Sequence, residues 1–173
     1  MHYTARAEMV STGERPEATT VQSPTELGES PWSTDAIYDE LLFHGPKFRV
    51  IRQVLGIGDA ESLAEVASTG DLGWETGPWS TDAAALDGGL QLAILQGVRL
   101  LGHTSLPTSV ESLRLFRFES VEGSFRCQLK LRESGAYRTL SDLTFTDSRG
   151  VKLAELLGVE MHVVPSARAI AAT

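Results

Sequence analysis

The chain has 173 residues, 42% hydrophobic and 22% charged, which suits one globular domain with a real core and excludes a disordered or fibrous polymer. Its formal net charge of -8 works against the counterion release that drives nucleic-acid binding, so no nucleic-acid partner is expected. The single cysteine, Cys127, forms no internal disulfide, and apolar residues nowhere run for the roughly 20 positions of a membrane helix, so a cytoplasmic chain with no membrane partner is expected.

Residues 1–10 alternate loosely, with Tyr3, Ala5, Ala7 and Met9 on one side, as in a half-buried strand. Residues 11–34 turn to Ser, Thr, Glu, Gly and Pro and cannot bury enough surface to offset their ordering entropy, which predicts a flexible surface linker. The domain organisation is therefore 1–34 strand and linker, 35–173 folded domain. Ile37, Leu41 and Leu42 predict a short helical turn over 35–43, which Gly45-Pro46 ends because proline lacks an amide donor and disfavours helical geometry before it.

Residues 48–57 and 61–67 read as two strands joined through Gly56 and Gly58, a hairpin. A long helix starts at Thr81 or Asp82 and runs through Leu86, Leu90, Ala93, Ile94 and Leu101, apolar nearly all round, so something must wrap it. Residues 109–118, 124–132, 137–146 and 151–163 predict four successive strands in meander order. The class is α+β, an antiparallel sheet wrapped around a long central hydrophobic helix. The hexapeptide PWSTDA at 31–36 recurs at 78–83 with different flanks, which reads as two helix entries and not a domain repeat.

Three stretches carry more than fold. They are Leu42-Phe43-His44-Gly45-Pro46-Lys47-Phe48, Leu86-Asp87-Gly88-Gly89-Leu90-Gln91 and Leu106-Pro107, in that order. Together they resemble the later motifs of the dehydratase domains of polyketide synthases and polyunsaturated fatty acid synthases, and the resemblance covers most of the chain from about Tyr38 onward. The family's second-half signature is Gly-Pro-x-Phe followed by Asp-x-x-x-Gln or Asp-x-x-x-His on the central helix, matched here by Gly45, Pro46 and Phe48 and then by Asp87 and Gln91. The third motif departs from the common Leu-Pro-Phe-x-Trp: Leu106-Pro107 is followed by Thr108-Ser109-Val110, without either aromatic, which bears on pocket shape.

The resemblance implies a hotdog fold, the C-terminal half of a double hotdog, and a hydro-lyase that turns a 3-hydroxyacyl group on an acyl carrier protein into an enoyl group. Such a reaction needs a base for the α-proton and an acid for the departing hydroxide. By resemblance the acid is Asp87, and Gln91, one helical turn on, hydrogen-bonds around it and the leaving hydroxyl. Leu86, Leu90, Gly88 and Gly89 suggest an apolar setting, with the glycines leaving room for an acyl chain. Phe43, His44, Gly45, Pro46, Phe48, Leu90, Leu106 and Pro107 are the expected substrate-binding residues. The competing reading of Asp87 is a first-turn acid that caps helix amides.

The first half of such domains carries a His-x-x-x-Gly-x-x-x-x-Pro motif, and His2, His44, His103 and His162 all fail it, so the base is expected outside this chain. Cys127, mid-strand and without a neighbouring Cys-His pattern, reads as an inert thiol. No metal and no cofactor are expected, the substrate arriving on the phosphopantetheine of a carrier protein. Lys47, Arg49 and Arg52 could greet that arm but read first as a solvated strand face. An acidic chain attracts an acidic carrier poorly, which favours a carrier and other synthase domains linked in cis. An isolated hotdog with a free sheet edge is expected to form a homodimer or to pair with the missing N-terminal half. Two other activities remain open: a pseudo-dehydratase with an acyl-binding or structural role, and a product-template-type cyclase or double-bond isomerase.

Overall fold

The computed structural model describes residues 4–8, 19–22, 24, 27–74, 81–116 and 123–164. A short helix α1 (Thr34–Ala36) widens into a π-helical turn (Ile37–Leu41) and is followed by a 3-10 turn (Pro46–Phe48). Strands β1 (Ile51–Ile57) and β2 (Glu61–Val66) precede helix α2 (Ala83–Leu101). After it come β3 (Ser105–Ser109), β4 (Ser112–Leu115), β5 (Phe125–Ser134), β6 (Arg138–Thr146) and β7 (Lys152–Val163).

Helix α2 starts where its cap allows. The Asp82 side chain accepts from Ala85 N at 2.9 Å and also from the backbone and hydroxyl of Thr69, which ties the helix entry to the segment after β2. From Ala84 to Val98 the helix is buried except at Leu86, Asp87 and Leu90, which are half-buried and lie on one face. Its other sides meet the sheet and, at Gln91, the segment from Tyr38 to Phe48, as an all-round apolar helix requires. Gly88 and Gly89 are the points of closest approach. A Cβ at Gly88 would lie 2.8 Å from the Val66 side chain, and one at Gly89 would overlap the Phe145 ring. The two glycines therefore let β2 and β6 close on the helix and do not leave room for an acyl chain, contrary to the expectation from sequence.

The sheet has seven strands in the order β1-β2-β5-β6-β7-β3, with β4 also pairing with β7, and every pairing is antiparallel. The hairpin β1–β2 forms as expected, and β5, β6 and β7 form a meander. The region read as one strand over 109–118 is instead two. β3 begins at Ser105, includes Leu106-Pro107 and pairs Ser105 with Val163, and β4 takes over lower on the same strand with Ser112 opposite Leu157. Between them Glu111 N donates to Leu157 O, so the chain steps out of register there, and the local polar run Thr-Ser-Val-Glu-Ser offers no alternation from which to read the break. Residues 117–118 lie outside the described residues.

The N-terminal expectations need two corrections. Residues 4–8 are exposed and irregular, and the small Ala5 and Ala7 give a strand there little to bury; the rest of the strand expected over 1–10 lies outside the described residues. Parts of the region read as a linker are pinned to the sheet: Thr20 bridges Val151, Val21 N donates to Gly150 O at 2.9 Å, and Gly28 O accepts from Ile57 N at 3.0 Å. Backbone pairing of this kind needs no apolar side chain, so composition does not report it. The repeated hexapeptide does enter two helices, with different caps: Ser33 caps α1, whereas Asp82, the equivalent of Asp35, caps α2. No described helix is long and apolar enough to cross a membrane.

Candidate active site

The one incompletely covered face of α2 opens into a pocket of about 410 Å³. Its walls are Phe43, His44, Gly45 and Phe48 from the segment after α1, Asp87, Leu90, Gln91 and Ile94 from α2, and Pro107 from β3. The three sequence motifs thus converge on one cavity. The π-helical turn ends with Leu42 in extended geometry, which carries Phe43 and His44 across the helix face, and Gly45-Pro46 turns the chain back. Two expected substrate-binding residues do not line the cavity. Pro46 is exposed at the start of the 3-10 turn, and Leu106 is exposed because alternation along β3 turns Pro107, not Leu106, toward the pocket. Ile94, one turn after Leu90 on the same face, joins the lining.

Asp87 is the fifth residue of α2 and caps nothing, since Asp82 holds the cap. Among the described residues its carboxyl group has one hydrogen-bond partner: Gln91 Nε2 donates to Asp87 Oδ2 at 2.7 Å. Gln91 is fully buried and ends a chain of hydrogen bonds. Ile51 N donates to the Tyr38 hydroxyl at 2.6 Å, Tyr38 donates to Gln91 Oε1 at 2.8 Å, and Gln91 Nε2 also donates to Phe48 O at 2.8 Å. Both amide protons of Gln91 are therefore in use, and the expected hydrogen bond from Gln91 to a leaving hydroxyl has no proton left to make it.

Tyr38 is 5% exposed, and burial raises its pKa further from the physiological range, against the backbone amide of Ile51, which lowers it. Its sequence setting, a tyrosine in an amphipathic turn, reads as core, so only the tertiary contact with Gln91 reveals it. Trp74 likewise carries no signal in the sequence: its indole donates to Lys47 O at 3.1 Å and its ring meets Phe48 edge-on at 5.1 Å, which steadies the pocket's aromatic wall.

His44 stacks on Phe43 with ring centroids 4.4 Å apart. Burial lowers its pKa below the ordinary 6.5, partly opposed by the nearby charge of Asp87, so the imidazole is neutral at physiological pH. Its Nδ1 is buried with no hydrogen-bond partner among the described residues. Arg49 is engaged by Asp39 at 3.0 Å and lies over the Tyr38 ring, so it does not face a substrate freely. Cys127 is fully buried, and burial raises its thiol pKa, which leaves it unreactive. Among the described residues no group of three or more His, Cys, Asp or Glu is arranged to hold a metal ion.

Residues 15–170 match the family model described as the polyketide synthase dehydratase N-terminal domain. The chain is 28% identical over 141 residues to a polyunsaturated fatty acid synthase polypeptide of Thraustochytrium sp., a match that spans 78% of the chain and 5% of that polypeptide. Among solved structures it is similar to the dehydratase domain from the CurF module of curacin polyketide synthase, with a TM-score of 0.68 and 19% identity over 87% of the chain and 54% of that domain. It is likewise similar to the dehydratase domain of a mycocerosic acid synthase-like polyketide synthase, at 0.67 and 18% over 88% and 56%, and to a trans-AT dehydratase domain from Brevibacillus brevis, at 0.63 and 18% over 87% and 55%. The fold is the hotdog of these domains, and the chain spans about half their length.

Proposed function

Because the chain belongs to the polyketide synthase dehydratase N-terminal domain family, we propose that it is the acid-bearing hotdog of a dehydratase that eliminates water from a 3-hydroxyacyl group on an acyl carrier protein. The observation that carries this reading is the carboxyl group of Asp87 in a largely apolar pocket, one oxygen occupied by Gln91 and the other without a partner among the described residues. That second oxygen can give its proton to the departing β-hydroxyl while a base removes the α-proton and the electron pair of that bond becomes the new double bond. Phe43, Phe48, Leu90, Ile94 and Pro107 supply apolar walls for the acyl chain and its pantetheine tether.

The base comes from outside the chain, since no histidine here lies in the first-half motif. The family model is described by its N-terminal domain, so the assignment to the second half rests on the order of the Gly-Pro-x-Phe, Asp-x-x-x-Gln and Leu-Pro motifs. An edge made of β3 and β4, with Leu106, Val110 and Leu113 exposed, supports pairing with another hotdog, either the His-bearing half or a second copy. The carrier protein and other synthase domains then act in cis, as the 5% share of the matched synthase polypeptide suggests.

The test is mass-spectrometric turnover of 3-hydroxyacyl carrier protein by the chain alone and by the chain joined to a His-bearing half. The expected outcome is loss of water only from the joined form. Turnover by the chain alone would place the base within it, with His44 the first candidate. No reaction from either, over several chain lengths, would replace the dehydratase by a non-catalytic hotdog.

A further inference from the structure

Resting on that reading, we infer that Tyr38 is a positioning residue for Asp87, acting through Gln91 to decide which atoms of the Gln91 amide face the acid. A buried amide can usually be turned end for end without changing its shape, and its orientation follows from the roles of its partners. Here both ends of the chain of hydrogen bonds are backbone groups with only one role each. Ile51 N–H can only donate, so the Tyr38 oxygen accepts from it at 2.6 Å and its single proton is free to point at Gln91 Oε1, 2.8 Å away. Phe48 C=O can only accept, so the atom 2.8 Å from it is the Gln91 nitrogen. The remaining amide proton then falls on Asp87 Oδ2 at 2.7 Å.

This orientation has a chemical consequence for the acid. An oxygen that receives the Gln91 proton is an acceptor, so a proton carried by Asp87 sits on the other oxygen, Oδ1. Were the amide reversed, Gln91 would offer its carbonyl oxygen to Asp87, and the carboxylic acid would donate its proton inward to the glutamine instead of outward to the β-hydroxyl. Tyr38 and Phe48 O together hold the productive orientation. Tyr38 is not among the residues lining the pocket and, among the described residues, makes no hydrogen bond to Asp87, and its sequence position, 53 residues before Gln91, gives no local hint of the link.

The test has two arms. In the 173-residue chain, Tyr38→Phe is compared with wild type by NMR of the Gln91 side-chain amide, the Asp87 carboxyl carbon and the Ile51 amide. The expected result is movement of all three signals and faster hydrogen exchange at Ile51. Unmoved Gln91 and Asp87 signals in a folded variant would overturn the inference, whether or not the dehydratase reading holds. If Tyr38→Phe does not fold, 3-fluorotyrosine at position 38 makes the hydroxyl a stronger donor without removing it, and the Gln91 amide signal should follow. In the joined, active form, Tyr38→Phe should lower kcat by about tenfold with KM within about twofold, and should add little to the loss caused by Gln91→Leu. An unchanged kcat, or losses that multiply independently, would reduce Tyr38 to a core residue.

Discussion

Helix α2 sets two pairs of like residues against each other. Among the described residues, Asp82 and Gln96 direct their side-chain hydrogen bonds at structural neighbours: Asp82 at Ala85 and Thr69, Gln96 at Gly58 O, Asp59 O and the hydroxyl of Ser62. Asp87 and Gln91 lie between them on the same helix, yet Gln91 bonds Asp87, and Asp87 keeps an oxygen open to a cavity. Residue type and burial are alike in the two glutamines, at 1% and 0% exposure, so neither property separates scaffold from site. What separates them is that one amide proton of Gln91 goes to Asp87, a group facing a pocket, whereas Gln96 bonds only groups of the scaffold.

That contrast can be broken from the structural side first. Gln96→Leu leaves the buried Ser62 hydroxyl and two carbonyls without partners, and should lower unfolding free energy by about 2–3 kcal/mol in urea titration while leaving turnover per folded molecule unchanged. Gly89→Ala forces a methyl group against Phe145 and should cost about 2 kcal/mol, again by denaturation; a neutral result would mean that β6 does not press on the helix as closely as described. Asp82→Ala, which removes the cap, should cost about 1 kcal/mol, with kcat retained.

The smallest effect concerns His44. Its folded pKa is lowered by burial, so below 6.5 the unfolded chain binds the proton more readily, and stability falls as pH drops from 6.5 toward the folded value. His44→Phe should flatten that part of the Tm-versus-pH curve. An unchanged slope would mean that the imidazole is solvated in the folded chain.

Much of this architecture is legible in the sequence. The all-round apolar run from Ala84 to Val98 announces a wrapped helix, and the hairpin and the β5–β7 meander follow from alternation and turn residues. Asp87, Gln91, His44 and Phe48 are reached through motif order, and the fold brings them to one cavity. Other features are not legible, each for a physical reason. The break between β3 and β4 is a matter of register, which a polar strand leaves unmarked. The pinning of residues 19–21 and 28 runs through backbone hydrogen bonds, which composition does not report, with the single leucine Leu27 packed beside Gly56. Tyr38 meets Gln91 only after the chain folds, and the packing role of Gly88 and Gly89 depends on which side chains, Val66 and Phe145, stand opposite.

The most direct measurement is turnover of a 3-hydroxyacyl carrier protein by the joined domain carrying Asp87→Asn, with its Tm read alongside. Asparagine can still accept from Gln91 but cannot deliver a proton, so water loss should fall by about 10²–10⁴-fold with Tm nearly unchanged. Wild-type turnover from a folded Asp87→Asn domain would contradict the assignment of Asp87 as the acid.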